Sequence, residues 1–148
     1  VDIRGVSGMP DSLSELHLTS NRLKGRIHPE LFELTKLKKL YLSFNAMTGS
    51  LPTAIQNMRN LRELHLYGNK FTGTIPTQLG KLNRLQVLSL AENDLEGTLP
   101  NEIGQMINLH TLSLHNAEPE SGSFNGTLPN WKNLVFLKEL YLNGNSLS

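Results

Sequence analysis

The chain contains no cysteine, which removes disulfides, thiolate metal sites and cysteine nucleophiles together. No apolar run approaches the length needed to cross a bilayer, so no segment reads as a membrane-inserted helix. No phosphate-cradling pattern, whether G-x-x-x-x-G-K-[ST] or a strand-linked G-x-G-x-x-G, is present, and nucleotide binding is not expected. Charge is too balanced, at a net +1, to call for nucleic acid. Basic residues Lys38, Lys39 and Arg62 are interrupted by Glu15 and Glu63 rather than forming a stripe. An apolar N-terminal leader is also missing and the first residue is Val1, so the chain reads as a processed or excised piece.

What is there suffices for one folded domain: 148 residues, 38% hydrophobic and 18% charged. Charge is uneven along it. Residues 1–84 hold 12 Lys/Arg against 6 Asp/Glu, a net +6, and residues 85–148 hold 2 against 7, a net −5. A gradient of this kind can orient an approaching partner.

Self-similarity dominates everything else. Leu13, Leu37, Leu61, Leu85 and Leu109 stand 24 residues apart, and each opens the phrase L-x-x-L-x-L, as in Leu61-Leu64-Leu66. A sixth copy begins at Leu137. Three residues past the third leucine comes asparagine, at Asn21, Asn45, Asn69, Asn93 and Asn145. An apolar residue, a glycine and Ile/Leu-Pro follow; Phe71-Thr-Gly73-Thr-Ile75-Pro76 is the cleanest copy.

Each part of the repeat has a mechanical reason. The x-L-x-L-x core predicts a short strand with leucines inward and variable residues outward. One strand per repeat, stacked at roughly 4.8 Å, makes a parallel sheet. A buried Leu is worth roughly 1.5–3 kcal/mol, but only when a neighbouring repeat covers it. An inward asparagine donates and accepts at once, and so can satisfy backbone groups freed where each strand turns. Glycines 25, 49, 73, 97 and 126 suit positive φ or a tight passage. Prolines 52, 76, 100 and 129 suit the edge of a turn; in the first repeat His28 takes that slot and Pro29 follows. Apolar pairs three residues apart, such as Ile55/Met58, Leu79/Leu82 and Trp131/Leu134, predict a helical or 3₁₀ turn on the back.

With these residues in place, the pattern L-x-x-L-x-L-x-x-N-x-[LF]-x-G-x-[IL]-P resembles the plant-type class of leucine-rich repeats over residues 13–148. The resemblance implies an α/β solenoid: a right-handed superhelix of about six 24-residue repeats, with a concave parallel sheet and a second, shorter set of strands near Gly-x-Ile-Pro. Residues 1–12 match the repeat poorly and are expected to form an irregular segment or partial repeat. Both ends read as uncapped, so continuation into further repeats is expected. The fifth repeat departs most, running 28 residues from Leu109 to Leu137, with extra residues near Ala117–Ser123 and alanine in the asparagine slot. Members of the class are mostly ectodomains of receptor-like kinases and receptor-like proteins, which implies an extracellular or cell-surface setting.

Outward strand positions read as columns across the concave face. All three tyrosines lie there with three of the five histidines. Aromatic side chains exposed on a rigid surface are typical interface anchors. The candidate partner-binding residues are His17, Tyr41, Phe44, His65, Tyr67, Ser89, His115 and Tyr141. The patch centres on His17, Tyr41, His65 and Tyr67 with Phe44 beside it. Ser89, Ala91 and Ser113 are expected to leave a smoother, shallower region next to it. The 117–123 insertion is a second candidate for specificity. Asn125-Gly126-Thr127 is the one N-x-Ser/Thr sequon, making Asn125 a glycan acceptor if the protein is secreted.

No catalytic constellation, cofactor or metal is expected. His17 and His65 stand two strands apart, roughly 10 Å, too far to share an ion. Ser89 beside His65 lacks both an oxyanion hole and an orienting acid. The histidines permit a pH-dependent interface. The favoured function is recognition of a protein or peptide by a receptor-like module. The alternatives are a structural scaffold in a larger assembly, or a secreted inhibitor of a cell-wall-degrading enzyme.

Overall fold

A computed structural model describes residues 8–117 and 122–148. Alternation of leucine with polar residues produces six three-residue parallel strands: β1 Glu15–His17, β3 Lys39–Tyr41, β5 Glu63–His65, β7 Val87–Ser89, β10 Thr111–Ser113 and β12 Glu139–Tyr141. They pair in the order β1-β3-β5-β7-β10-β12. Pairing follows the repeat register, so Glu15, Lys39 and Glu63 are successive partners, as are Leu16, Leu40 and Leu64. This is the expected main sheet. The central leucines of β1, β3, β5, β7 and β10 are buried, Leu40, Leu64, Leu88 and Leu112 at most 1% exposed, while Leu140 of β12 is 44% exposed.

A second set of strands lies around the Gly-x-Ile/Leu-Pro segments, where the family resemblance implied one, though two of them, Ala46–Gly49 and Lys70–Gly73, at four residues each, are longer than the main strands. β2 Lys24–Gly25, β4 Ala46–Gly49, β6 Lys70–Gly73 and β8 Asp94–Leu95 form one ribbon. β9 Gly97–Thr98, β11 Phe124–Gly126 and β13 Ser146–Leu147 form another. The glycines that close these strands hold φ between 77° and 85°, a region costly for any residue with a Cβ. On the back, Pro29–Glu33, Thr53–Asn57, Thr77–Lys81 and Asn101–Gln105 are 3₁₀ turns. Each follows an extended residue: His28 has φ −73° and ψ 138°, close to the −70° to −73° of Pro52, Pro76 and Pro100, which is why it fits the proline slot.

The asparagine column closes the strand turns. Asn69 is buried; its amide donates to Leu66 O and Leu42 O at 3.0 Å each, and its Oδ1 accepts the Met47 N–H at 3.1 Å. Asn93 repeats this with Leu90 O, Leu66 O and the Phe71 N–H. Asn45, Asn69 and Asn93 each tie their own coil to the preceding one, whereas among the described residues Asn21 in the first coil bonds only its own Leu18 O and Thr19 O.

The fifth coil differs, and for a local reason. Ala117 has no side-chain amide, and its backbone N–H donates instead to Glu92 Oε1 at 2.8 Å. Asn116, one residue earlier, is buried and donates to Gly122 O. Gly122 lies so close to the preceding coil that a Cβ would sit 2.2 Å from Leu95 O. The column resumes at Asn145, which donates to Leu114 O and accepts from Phe124 N–H. Of the expected insertion, residues 118–121 lie outside the described residues. The 3₁₀ turn expected at Trp131/Leu134 is a correction: Trp131 follows Pro129 by two residues where Ile55 follows Pro52 by three, which shortens the segment to simple turns, closed by Leu134 N–H on Trp131 O at 2.9 Å.

Candidate concave recognition surface

Because strand positions one coil apart are direct sheet partners, side chains in one column stack on each other. His17 and Tyr41 have ring centroids 4.4 Å apart, and Tyr41 and His65 4.7 Å, both pairs stacked. The neighbouring column alternates charge. Lys39 Nζ lies 3.4 Å from Glu15 and 3.6 Å from Glu63. Glu63 is the hub between the two columns: it accepts the Tyr41 hydroxyl, and its carboxylate lies 3.7 Å from His65 Nε2. Glu15 likewise receives His17 at 3.2 Å.

These contacts set the protonation of the row. Burial and the Glu63 carboxylate push the Tyr41 phenol up to about 12, so it stays a donor. Burial holds the His65 imidazole below its ordinary value, outweighing the nearby Glu63, which pulls the other way. The hydrogen bond from His17, helped by Lys39, holds Glu15 below its ordinary value against some desolvation.

A second aromatic row runs beside the first. Phe44 meets Tyr67 edge to face at 5.0 Å, Tyr67 approaches His115 at 6.0 Å, and His115 approaches Tyr141 at 6.2 Å. Tyr67 and His115 belong to coils separated by the one carrying Ala91. Their rings lean across it, and Ala91 is only 1% exposed. The shallow region expected around Ala91 and Ser113 is therefore roofed, and Ser113 is 8% exposed. Small residues here make room for their neighbours' rings rather than an open floor. Ser89 sits half-buried in β7 as the sheet partner of His65.

Phe44 is the least comfortable residue on the face. It is 57% exposed, and its φ is +55°, a conformation that bulky residues rarely adopt. The equivalent position in the next coil is Gly68, also at positive φ, where a Cβ would stand 3.2 Å from the Phe44 ring. Glycine there gives the ring its seat. Sequence reading found Phe44 by its column but missed its backbone, although glycine at 68 and 144 in the same column marked a positive-φ position that Ser20 and Glu92 share. It also underrated Glu63, whose hub role was foreshadowed by the Glu-Lys-Glu alternation at the repeat spacing.

Ser113 Oγ lies 3.0 Å from His115 Nδ1, and His115 Nε2 lies 3.9 Å from Glu92. The hydroxyl is buried beneath the rings and is not presented to a substrate carbonyl. Among the described residues no three His, Asp or Glu side chains converge as metal ligands, and no helix is long and apolar enough to cross a membrane.

Comparison with known proteins agrees with the fold. Leucine-rich-repeat family models match residues 11–71 and 84–106. The ectodomain of the receptor kinase SOBIR1 from Arabidopsis thaliana is 33% identical, with 90% of this chain and 71% of that one covered at a TM-score of 0.80. This chain belongs to the plant-type leucine-rich-repeat family. The plant peptide hormone receptor RGFR1, solved in complex with RGF2, is 36% identical over 99% of the chain at a TM-score of 0.91. The Arabidopsis receptor kinase HAESA, solved with the peptide hormone IDA and the co-receptor SERK1, is 33% identical over 99% of the chain at 0.89. This leucine-rich-repeat chain spans 23% of the RGFR1 chain and 24% of the HAESA chain. No curated protein matches it.

Proposed function

We propose that the chain is a recognition module of an extracellular, receptor-like protein, and that it binds a protein or peptide across the outward face of its main sheet. Phe44 carries this reading. A large ring held at positive φ and exposed to water costs free energy twice, and a bound partner that covers the ring recovers part of it. The stacked His17–Tyr41–His65 row and the Tyr67 ring supply a rigid aromatic floor beside it. The solved relatives complexed with peptide hormones support a peptide or small protein as ligand. Catalysis has no role in this reading.

The test is capture of a ligand, selected from a displayed peptide library, by the protein and by its Tyr41→Ala/Tyr67→Ala variant. Affinity is expected to fall at least about tenfold, as for truncated interface anchors, with little change in melting temperature. Fully retained affinity would overturn the assignment. An extracellular setting further implies an N-linked glycan on Asn125, which is exposed on β11. Expression through a secretory route should give a mass that falls on glycosidase treatment, and an Asn125→Gln variant indifferent to it.

A further inference from the structure

The basic residues of the first half of the chain fall mainly on two flanks of the solenoid, and Arg22, Lys24, Arg26 and Lys70 lie in or beside the second strand ribbon on one of them. Of the acidic groups in coils 1–3, Glu15 and Glu63 lie in the concave strands, and Glu30 and Glu33 lie in the back 3₁₀ turn. The opposite edge, where each coil passes from its back turn into its concave strand, carries the larger set. Lys36, Lys38, Arg59, Arg62, Lys81 and Arg84 all lie there, and none joins an ion pair among the described residues.

Two of them frame a place for a ligand group. Arg62 and Arg84, one coil apart, line a hollow of about 300 Å³ with Gln86 and Asn108. Arg84 is held in position by a 2.8 Å hydrogen bond to Asn60 Oδ1. A guanidinium fork fixed in this way matches a planar oxyanion and loses little freedom on binding it. Further along the same edge the chemistry changes. The positions equivalent to Arg59 and Arg84 become Ile107 and Phe136, and Phe136 stacks on His110 at 6.1 Å. Ile107 is 50% exposed although coils flank it on both sides.

We propose that this edge is a second contact surface, separate from the concave face, for a protein segment carrying carboxylates followed by apolar side chains. Carboxylates seat against Arg62 and Arg84, and the apolar part covers Ile107 and Phe136. At roughly 4.8 Å per coil the two parts stand about 10–15 Å apart, or three to four extended residues. A charge-only polyanion would have no use for the apolar half, so the pairing of the two halves selects a protein segment.

The test uses a fluorescent peptide with a run of glutamates followed by leucine and phenylalanine, titrated against the full chain. Arg62→Glu/Arg84→Glu is expected to weaken binding at least about tenfold, and Ile107→Asp about threefold or more, by loss of ion pairs and of apolar burial. Tyr41→Ala/Tyr67→Ala should leave it unchanged. A peptide that binds no better than its glutamate-to-lysine counterpart overturns the proposal. So does heparin matching the peptide with no effect of Ile107→Asp, since the edge would then be a general polyanion site. Loss of binding in the concave variant alone would also overturn it, assigning the peptide to the concave face instead.

Discussion

Coils built on the full repeat and the fifth coil, built on a damaged copy, stand side by side in one solenoid. In the second to fourth coils every turn is closed the same way: Asn45, Asn69 or Asn93 donates to carbonyls of its own and the preceding coil and accepts one N–H from the preceding coil, and a 3₁₀ turn backs the sheet. The fifth coil keeps its main strand and its register, pairing Leu112 with Leu88 and Leu140, yet loses the asparagine and the 3₁₀ turn. The difference teaches which parts of the repeat are essential to stacking. Leucines and register hold the sheet together. Asparagine and the back turn serve the backbone groups at each turn, and other groups can replace them when the backbone shifts, as Glu92 and Asn116 do here.

The largest expected effect breaks the regular side of the comparison. Asn69→Ala strips partners from a buried N–H and two carbonyls and should lower unfolding free energy by about 3 kcal/mol, read from the denaturant midpoint. The converse, Ala117→Asn, should change it by less than about 0.5 kcal/mol, because the backbone there has already found other partners. A gain above about 1 kcal/mol would show that the fifth coil is an unfilled copy of the others rather than a locally different solution.

Next comes Phe44→Gly, which relieves the positive φ but removes the ring contact with Tyr67. The two effects oppose at about 1 kcal/mol each, so stability should stay within about 1 kcal/mol of the parent. Ligand affinity should nonetheless fall by about tenfold. Stability that falls by several kcal/mol would make Phe44 a structural residue instead.

The smallest effects are in pH. Since burial lowers the His65 pKa, folding favours its neutral form. That contribution is present above the ordinary histidine range and is lost as pH falls through it. His65→Gln should therefore flatten the decline of melting temperature on acidification. For Tyr41, raised to about 12, the contribution is present below the ordinary value of 10.0 and is lost as pH rises through the folded value. Tyr41→Phe should remove that alkaline loss.

Legibility in the sequence followed chemistry that repeats. The leucine phrase, the asparagine column and the glycines at positive φ were readable because each recurs at one spacing, and one physical requirement explains every copy. Columns of the concave face were readable for the same reason: His17, Tyr41 and His65 stack because sheet register maps 24 residues of sequence onto one strand step. What differs between copies was read poorly. Ala91 and Ser113 seemed to open the surface, but Tyr67 and His115 close over them, because a large ring spreads beyond its own coil.

The amino-acid sequence by itself determined the stacking, the sheet register, the inward leucines and which side chains face outward, since burying a periodic apolar set leaves one way for the coils to pile. Only the tertiary structure decided that Glu63 links Tyr41, Lys39 and His65, that Phe44 holds a left-handed backbone, and that Arg62 and Arg84 frame one hollow. These depend on distances of a few ångströms between residues of different coils and on torsions a residue name does not encode.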